Sequence, residues 1–162
     1  MPDLTAVEAK AKALGAIPQA VLRQRDIYFC VPQGRLKLRQ QPGRPAELIA
    51  YARSDSAAPR PSDYRIFATE QGDELLATLT AALGVRAVVE KARTLYLWRQ
   101  TRIHLDRVRD LGEFVELETV ITCQSLKEGE AELRQVLAAL GLATAVAEPR
   151  SYVDLILATP NA

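Results

Sequence analysis

Three basic side chains stand at alternate positions in GRLKLRQ, residues 34–40: Arg35, Lys37 and Arg39, with Leu36 and Leu38 between them. In extended backbone successive side chains leave opposite faces, so the alternation predicts a β-strand with one apolar and one cationic face. Like charges crowded on one strand face repel. Phosphate oxygens would neutralise them, and Arg can do so with two parallel hydrogen bonds. A complementary pattern lies at 113–121, EFVELETVI, where Glu116 and Glu118 share a face while Val115 and Leu117 take the other. Upstream, TRIHLDRV (101–108) sets Arg102, His104 and Asp106 on one side and Ile103 and Leu105 on the other. Carboxylates of this kind suit a hard divalent cation such as Mg²⁺ or Mn²⁺, which in turn bridges phosphates.

The elements that must carry these residues are readable from periodicity and punctuation. A short helix is expected over 3–14, stopped by Gly15, with further helices over 72–84 and 128–141. Strands are expected over 26–32, 34–40, 47–54, 63–70, 85–98, 101–108 and 113–121, and 151–157 reads as a last short strand or helix. The Ser-, Pro- and Ala-rich stretch 54–63 reads as a loop. Seven strands with hairpin-length connections and three helices point to an antiparallel sheet or barrel with the helices outside. In the long strand 85–98, Lys91 and Arg93 share one face; in 47–54, Arg53 lies with Tyr51 and Ile49.

Bulk properties narrow the function. The chain has 162 residues, 48% apolar and 25% charged, which suits one globular domain with a true core. The formal net charge is +1, so the basic excess of a nucleic-acid-binding protein is missing. No apolar run approaches the length of a membrane helix, and the N-terminus lacks the apolar core of an export signal. Cys30 and Cys123 show no CxxC spacing, which suits a reduced cytoplasmic protein. The anion site must therefore come from local sorting of charge. Seven cations and three carboxylates collect on strand faces, and a polyphosphate with a divalent metal would offset both. If the sheet closes, the ionic faces line a tunnel.

The segment HLDRVRDLGEFVELE, 104–118, resembles the signature of the CYTH family, the triphosphate tunnel metalloenzymes. GRLKLR, Tyr51-Ala52-Arg53, Lys91-Ala92-Arg93 and SYVDL at 151–155 resemble family segments in the same order. The likeness runs over about residues 4–157 and is nearest the branch of class IV adenylate cyclases and thiamine triphosphatase-like proteins. It implies an α+β fold in which an antiparallel β-barrel encloses a charged tunnel, as a single domain over 1–162. It implies triphosphate-binding roles for Arg35, Lys37, Arg39, Arg53, Lys91, Arg93 and Arg102. Metal-binding roles for Mg²⁺ or Mn²⁺ fall to Glu116 and Glu118, with Asp106 as a further ligand or positioner. The substrates implied are ATP, thiamine triphosphate or tripolyphosphate, with no nucleic acid or membrane partner. The family's opening Glu-x-Glu-x-Lys strand has no counterpart, since Glu8-Ala9-Lys10 falls in the expected first helix. The expectation is that this strand is missing, leaving a sheet edge open to pairing in a homodimer. The two readings that follow are a triphosphate hydrolase or cyclase, and a polyphosphate- or nucleotide-binding module without turnover.

Overall fold

A computed structural model describes residues 2–52 and 64–159. In chain order the elements are α1 (Leu4–Ala13), β1 (Ile17–Phe29), β2 (Arg35–Gln40), β3 (Ala46–Tyr51), β4 (Arg65–Thr69), α2 (Gly72–Leu83), β5 (Val85–Trp98), β6 (Thr101–Val108), β7 (Gly112–Thr119), α3 (Leu126–Leu140) and α4 (Tyr152–Ala158). The strands are hydrogen-bonded in the order β4-β3-β2-β1-β5-β6-β7. The β1–β2, β2–β3, β3–β4 and β6–β7 pairs are antiparallel. This is the expected α+β class, seven antiparallel strands with helices, and among the described residues the order is open, with β4 and β7 outermost. No helix among the described residues is long and apolar enough to cross a membrane.

The chain divides into two compact units, Met1–Leu22 with Ala92–Glu148 and Arg23–Lys91 with Pro149–Ala162; β1 and β5 each contribute to both. In the first unit the core joins Leu4, Val7 and Ala11 of α1, Tyr96 of β5, Ile103 and Leu105 of β6, and Val136 and Leu140 of α3, with Val115 and Leu117 of β7 packed against it. In the second, Ile27 and Phe29 of β1, Leu38 of β2 and Ala46 of β3 are buried, with Leu75, Leu76 and Leu79 of α2 laid over them. In β2, β6, β7 and the second half of β1 the apolar face is thus the packed face. The ionic face must then lie opposite.

Local chemistry explains the element ends. The Asp3 side chain accepts from the backbone N–H of Thr5 and Ala6 and caps α1. Ser125 and Glu128 form a capping box, which starts α3 at Leu126, two residues before its expected onset. A second capping box, Ser151 with Asp154, resolves the ambiguous 151–157 segment as helix α4. β1 begins nine residues earlier than the sequence suggests. Its opening residues Ile17–Val21 bury no face, so they carry no alternation to detect, and Pro18 sits near the strand start, where a missing donor is tolerated.

Candidate functional site

The second unit holds the basic strand. Its register builds cross-strand rows: Asp26, Arg39 and Glu47; Tyr28, Lys37 and Ile49; and Arg35 with Tyr51. Asp26 is 2% exposed and binds two of the three cations. Lys37 Nζ donates to its Oδ2 at 2.8 Å, while Arg39 donates from Nε to Oδ1 and from Nη2 to Oδ2, both at 2.8 Å. Burial pushes the Asp26 carboxyl up, but the Arg39 hydrogen bonds and the Lys37 charge outweigh that and hold it at about 2. Lys37 also lies 5.5 Å from the Tyr28 ring centroid and 5.9 Å from that of Tyr51. Burial, followed by the neighbouring Tyr51, pushes the Tyr28 hydroxyl up, so it stays protonated.

Arg35 has a different partner. It donates from Nη2 to both Asp154 carboxylate oxygens at 2.7 and 2.8 Å, and from Nη1 to Ser151 Oγ at 2.5 Å. Asp154 also accepts from Ser151 Oγ, so one carboxylate both starts α4 and holds Arg35. Its pKa is pushed up by burial yet falls to about 2 through the Arg35 and Ser151 hydrogen bonds. Lys91 Nζ stands 4.9 Å from the Tyr152 ring centroid in the same helix.

The first unit holds the acidic strands. Thr101 to Val108 pairs with Thr119 to Gly112, setting Arg102 opposite Glu118, His104 opposite Glu116 and Asp106 opposite Phe114. Asp106 is fully buried and takes a two-point contact from Arg93: Nε to Oδ1 at 2.7 Å and Nη2 to Oδ2 at 2.6 Å. Arg93 Nη2 also donates to Glu116 Oε2 at 2.6 Å. His104 is buried, and its Nδ1 lies 3.5 Å from Glu116 Oε2 without a hydrogen bond to any group. Arg102 and Glu118, both about half exposed, meet at 3.2 Å.

All of the expected site residues but Arg53 lie among the described residues. Arg35, Lys37 and Arg39 are together on β2, and Lys91 stands at α4. Arg93 gathers Asp106 and Glu116, and Arg102 sits beside Glu118. Arg53 lies outside the described residues. The structure adds Asp26, Asp154 and Ser151, which sequence reasoning passed over. Asp26 opens the short aromatic stretch 26–32, and no neighbouring residue marks it as a partner of the β2 cations. The Ser151-x-x-Asp154 spacing is a helix-start signal, which could have marked α4 but not its tie to Arg35.

Among the described residues no three His, Cys, Asp or Glu side chains are gathered to hold a metal ion between them. A hard divalent cation does not require that: Mg²⁺ is commonly held by one or two carboxylates, with water and substrate phosphates completing its shell. Glu116 and Glu118, two positions apart on β7 with side chains about half exposed, fit such an ion as oxygen donors. Asp106, wholly buried against Arg93, is placed to orient that guanidinium.

Strands with one packed face and one face of paired cations and carboxylates define an α+β protein with a sorted ionic face. Residues 2–152 match the CYTH domain, and the chain belongs to that family of triphosphate-related enzymes. A comparison with curated proteins gives no significant match. Among solved structures, the fold is similar to the PH1012 protein from Pyrococcus horikoshii OT3, with TM-score 0.84 and 22% identity over 95% of this chain and 94% of that one. A conserved hypothetical protein from Pyrococcus furiosus is similar with TM-score 0.82 and 22% identity, over 95% of this chain and 94% of the other. A candidate adenylate cyclase from Vibrio parahaemolyticus follows with TM-score 0.77 and 19% identity, over 98% of this chain and 94% of its own.

Proposed function

We propose that this protein is a metal-dependent enzyme acting on a triphosphate, by hydrolysis or by cyclisation of ATP to cyclic AMP. The observation that carries the reading is the row Arg35, Lys37 and Arg39 on one face of β2, in a chain of the CYTH family. The candidate adenylate cyclase from Vibrio parahaemolyticus, similar in fold, supports a nucleotide as one substrate.

In this reading Arg35, Lys37, Arg39, Arg53, Lys91, Arg93 and Arg102 neutralise the phosphate oxygens. Asp26 and Asp154 keep the β2 cations in fixed rotamers, so little side-chain entropy remains to be lost when a phosphate arrives. A guanidinium has five N–H donors and can hold a carboxylate while offering others to phosphate. Asp106 positions Arg93, and Glu116 and Glu118 receive Mg²⁺ or Mn²⁺. Bound there, the ion would draw charge from the phosphate oxygens. Hydrolysis needs water to attack the terminal phosphorus; cyclisation needs the ribose 3′-hydroxyl to attack the α-phosphorus, with pyrophosphate leaving. Both place the same demands on the protein's charges.

The test is a product assay. The chain is incubated with Mg²⁺ or Mn²⁺ and, separately, ATP, thiamine triphosphate and tripolyphosphate, and the products are separated by anion-exchange chromatography. Phosphate or cyclic AMP formed only with metal supports the reading and names the reaction. Tight binding with no product from any of the three would make the protein a polyphosphate- or nucleotide-binding module instead.

A further inference from the structure

The cationic face of β2 does not end at β2. The β2–β3 and β3–β4 registers carry it onward: Lys37 lies opposite Ile49, and Ile49 opposite Ile66. One row further on, Arg35 lies opposite Tyr51, whose ring stands 5.2 Å from that of Tyr64 at an interplanar angle of 32°. Side chains directly opposite one another share a face. The same face therefore passes from cations on β2 to an apolar and aromatic shelf on β3 and β4: Ile49, Tyr51, Tyr64 and Ile66. At its outer margin Tyr64 is 55% exposed and Ile66 60%.

Shelf and cations are tied together by more than register. The Lys37 ammonium lies within 5.9 Å of the Tyr51 ring centroid. The Tyr51 hydroxyl reaches that of Tyr28 at 3.4 Å, and Tyr28 is the β1 neighbour of Lys37. An inorganic polyphosphate would use only the cationic part of such a surface. A ligand with a flat ring joined to its phosphates would use both, because base–aromatic stacking is favourable for almost any ring.

We infer that Tyr51, Tyr64 and Ile66 form a ring-binding subsite, which makes the preferred substrate a triphosphate ester bearing an aromatic ring rather than inorganic tripolyphosphate. The inference rests on the triphosphate reading above and deepens it. Tyr64 supplies the outer stacking face, Ile66 its apolar edge, and Tyr51 the link to the β2 cations. Phe67 provides an internal control. It is also exposed, but it pairs with Leu48 and so lies on the opposite face.

The experiment is calorimetric titration of the full chain, in Mg²⁺, with ATP, thiamine triphosphate and tripolyphosphate. Wild type is compared with Tyr64→Ala, Tyr64→Phe and Phe67→Ala. The expected result is that Tyr64→Ala binds at least one of the two ring-bearing ligands roughly ten-fold more weakly, the scale of one lost stack. Its tripolyphosphate affinity stays unchanged, Tyr64→Phe behaves as wild type, and Phe67→Ala alters nothing. A ligand that responds alone, ATP or thiamine triphosphate, names the ring. Equal loss for tripolyphosphate, or no loss for either ring-bearing ligand, overturns the subsite while leaving the triphosphate reading standing. Wild-type protein that binds none of the three overturns that reading and the subsite with it.

Discussion

Arg35 and Asp154 lie 119 residues apart in the chain and meet through two hydrogen bonds, 2.7 and 2.8 Å long. The contact joins the first cation of β2 to the first turn of α4, and Ser151 binds both partners. An Arg–carboxylate pair with this fork geometry fixes the guanidinium plane as well as its charge.

Replacing Asp154 by Asn keeps a capping oxygen and removes the charge. Stability should fall by about 1.5–3 kcal/mol, the usual worth of a hydrogen bond to a charged group. Tripolyphosphate should bind several-fold more weakly, because Arg35 loses the carboxylate that holds its rotamer. Denaturant midpoints and calorimetry read the two effects separately. A rise in affinity would mean that Asp154 competes with the phosphate for Arg35 rather than aiming it.

The acid limb of stability should report Asp26. Its folded pKa is depressed to about 2 from an ordinary 3.8, so its contribution is complete above pH about 4 and is lost as the pH falls through about 2. The size is roughly 2 kcal/mol, from 1.36 kcal/mol per pKa unit. Asp154, also at about 2, adds to the same limb. Urea midpoints between pH 2 and pH 6 should show the slope in wild type and a shallower one in Asp26→Asn. The variant should also be less stable at pH 7, by roughly 3 kcal/mol, since Lys37 and Arg39 lose the carboxylate they share.

Glu118→Gln removes one candidate metal ligand at a half-exposed position and should leave the fold intact. The Mg²⁺ or Mn²⁺ concentration needed for half-maximal turnover should rise at least about ten-fold, the loss that even an outer-shell change produces. An unchanged metal dependence in an active variant would remove Glu118 from the site.

Gly34 stands immediately before the basic strand with φ at +61°, and a Cβ there would meet the Tyr51 carbonyl oxygen at 2.7 Å. Gly34→Ala therefore meets both left-handed strain and a backbone clash. The expected cost is about 1–3 kcal/mol, seen as a lower melting temperature. Triphosphate affinity should fall too, because the clash displaces Tyr51 and the neighbouring Arg35.

The sequence made the faces legible. Leu36 and Leu38, Ile103 and Leu105, and Val115 and Leu117 alternate with charge, and each pair lies in or against a core. β5 and β6 begin and end where the pattern places them, because their alternation and flanking breaks are local signals. The opening half of β1 was hidden because it buries no face. The sorted cations of β2 read as an excess of like charge awaiting an outside anion. The structure corrects that picture: Asp26 and Asp154 already sit among them.

The difference is one of range. Alternation and caps are written within a few neighbouring residues, so the chain alone dictated an antiparallel α+β fold, an ionic face on several strands, and the long signature at 104–118. Which charges meet depends on strand register and on contacts between distant segments. Asp26 lies opposite Arg39 only because the turn ending at Gly34 fixes the β1–β2 register, and Asp154 reaches Arg35 only once α4 has docked in the same unit. No local pattern encodes those two pairings, and folding alone sets them.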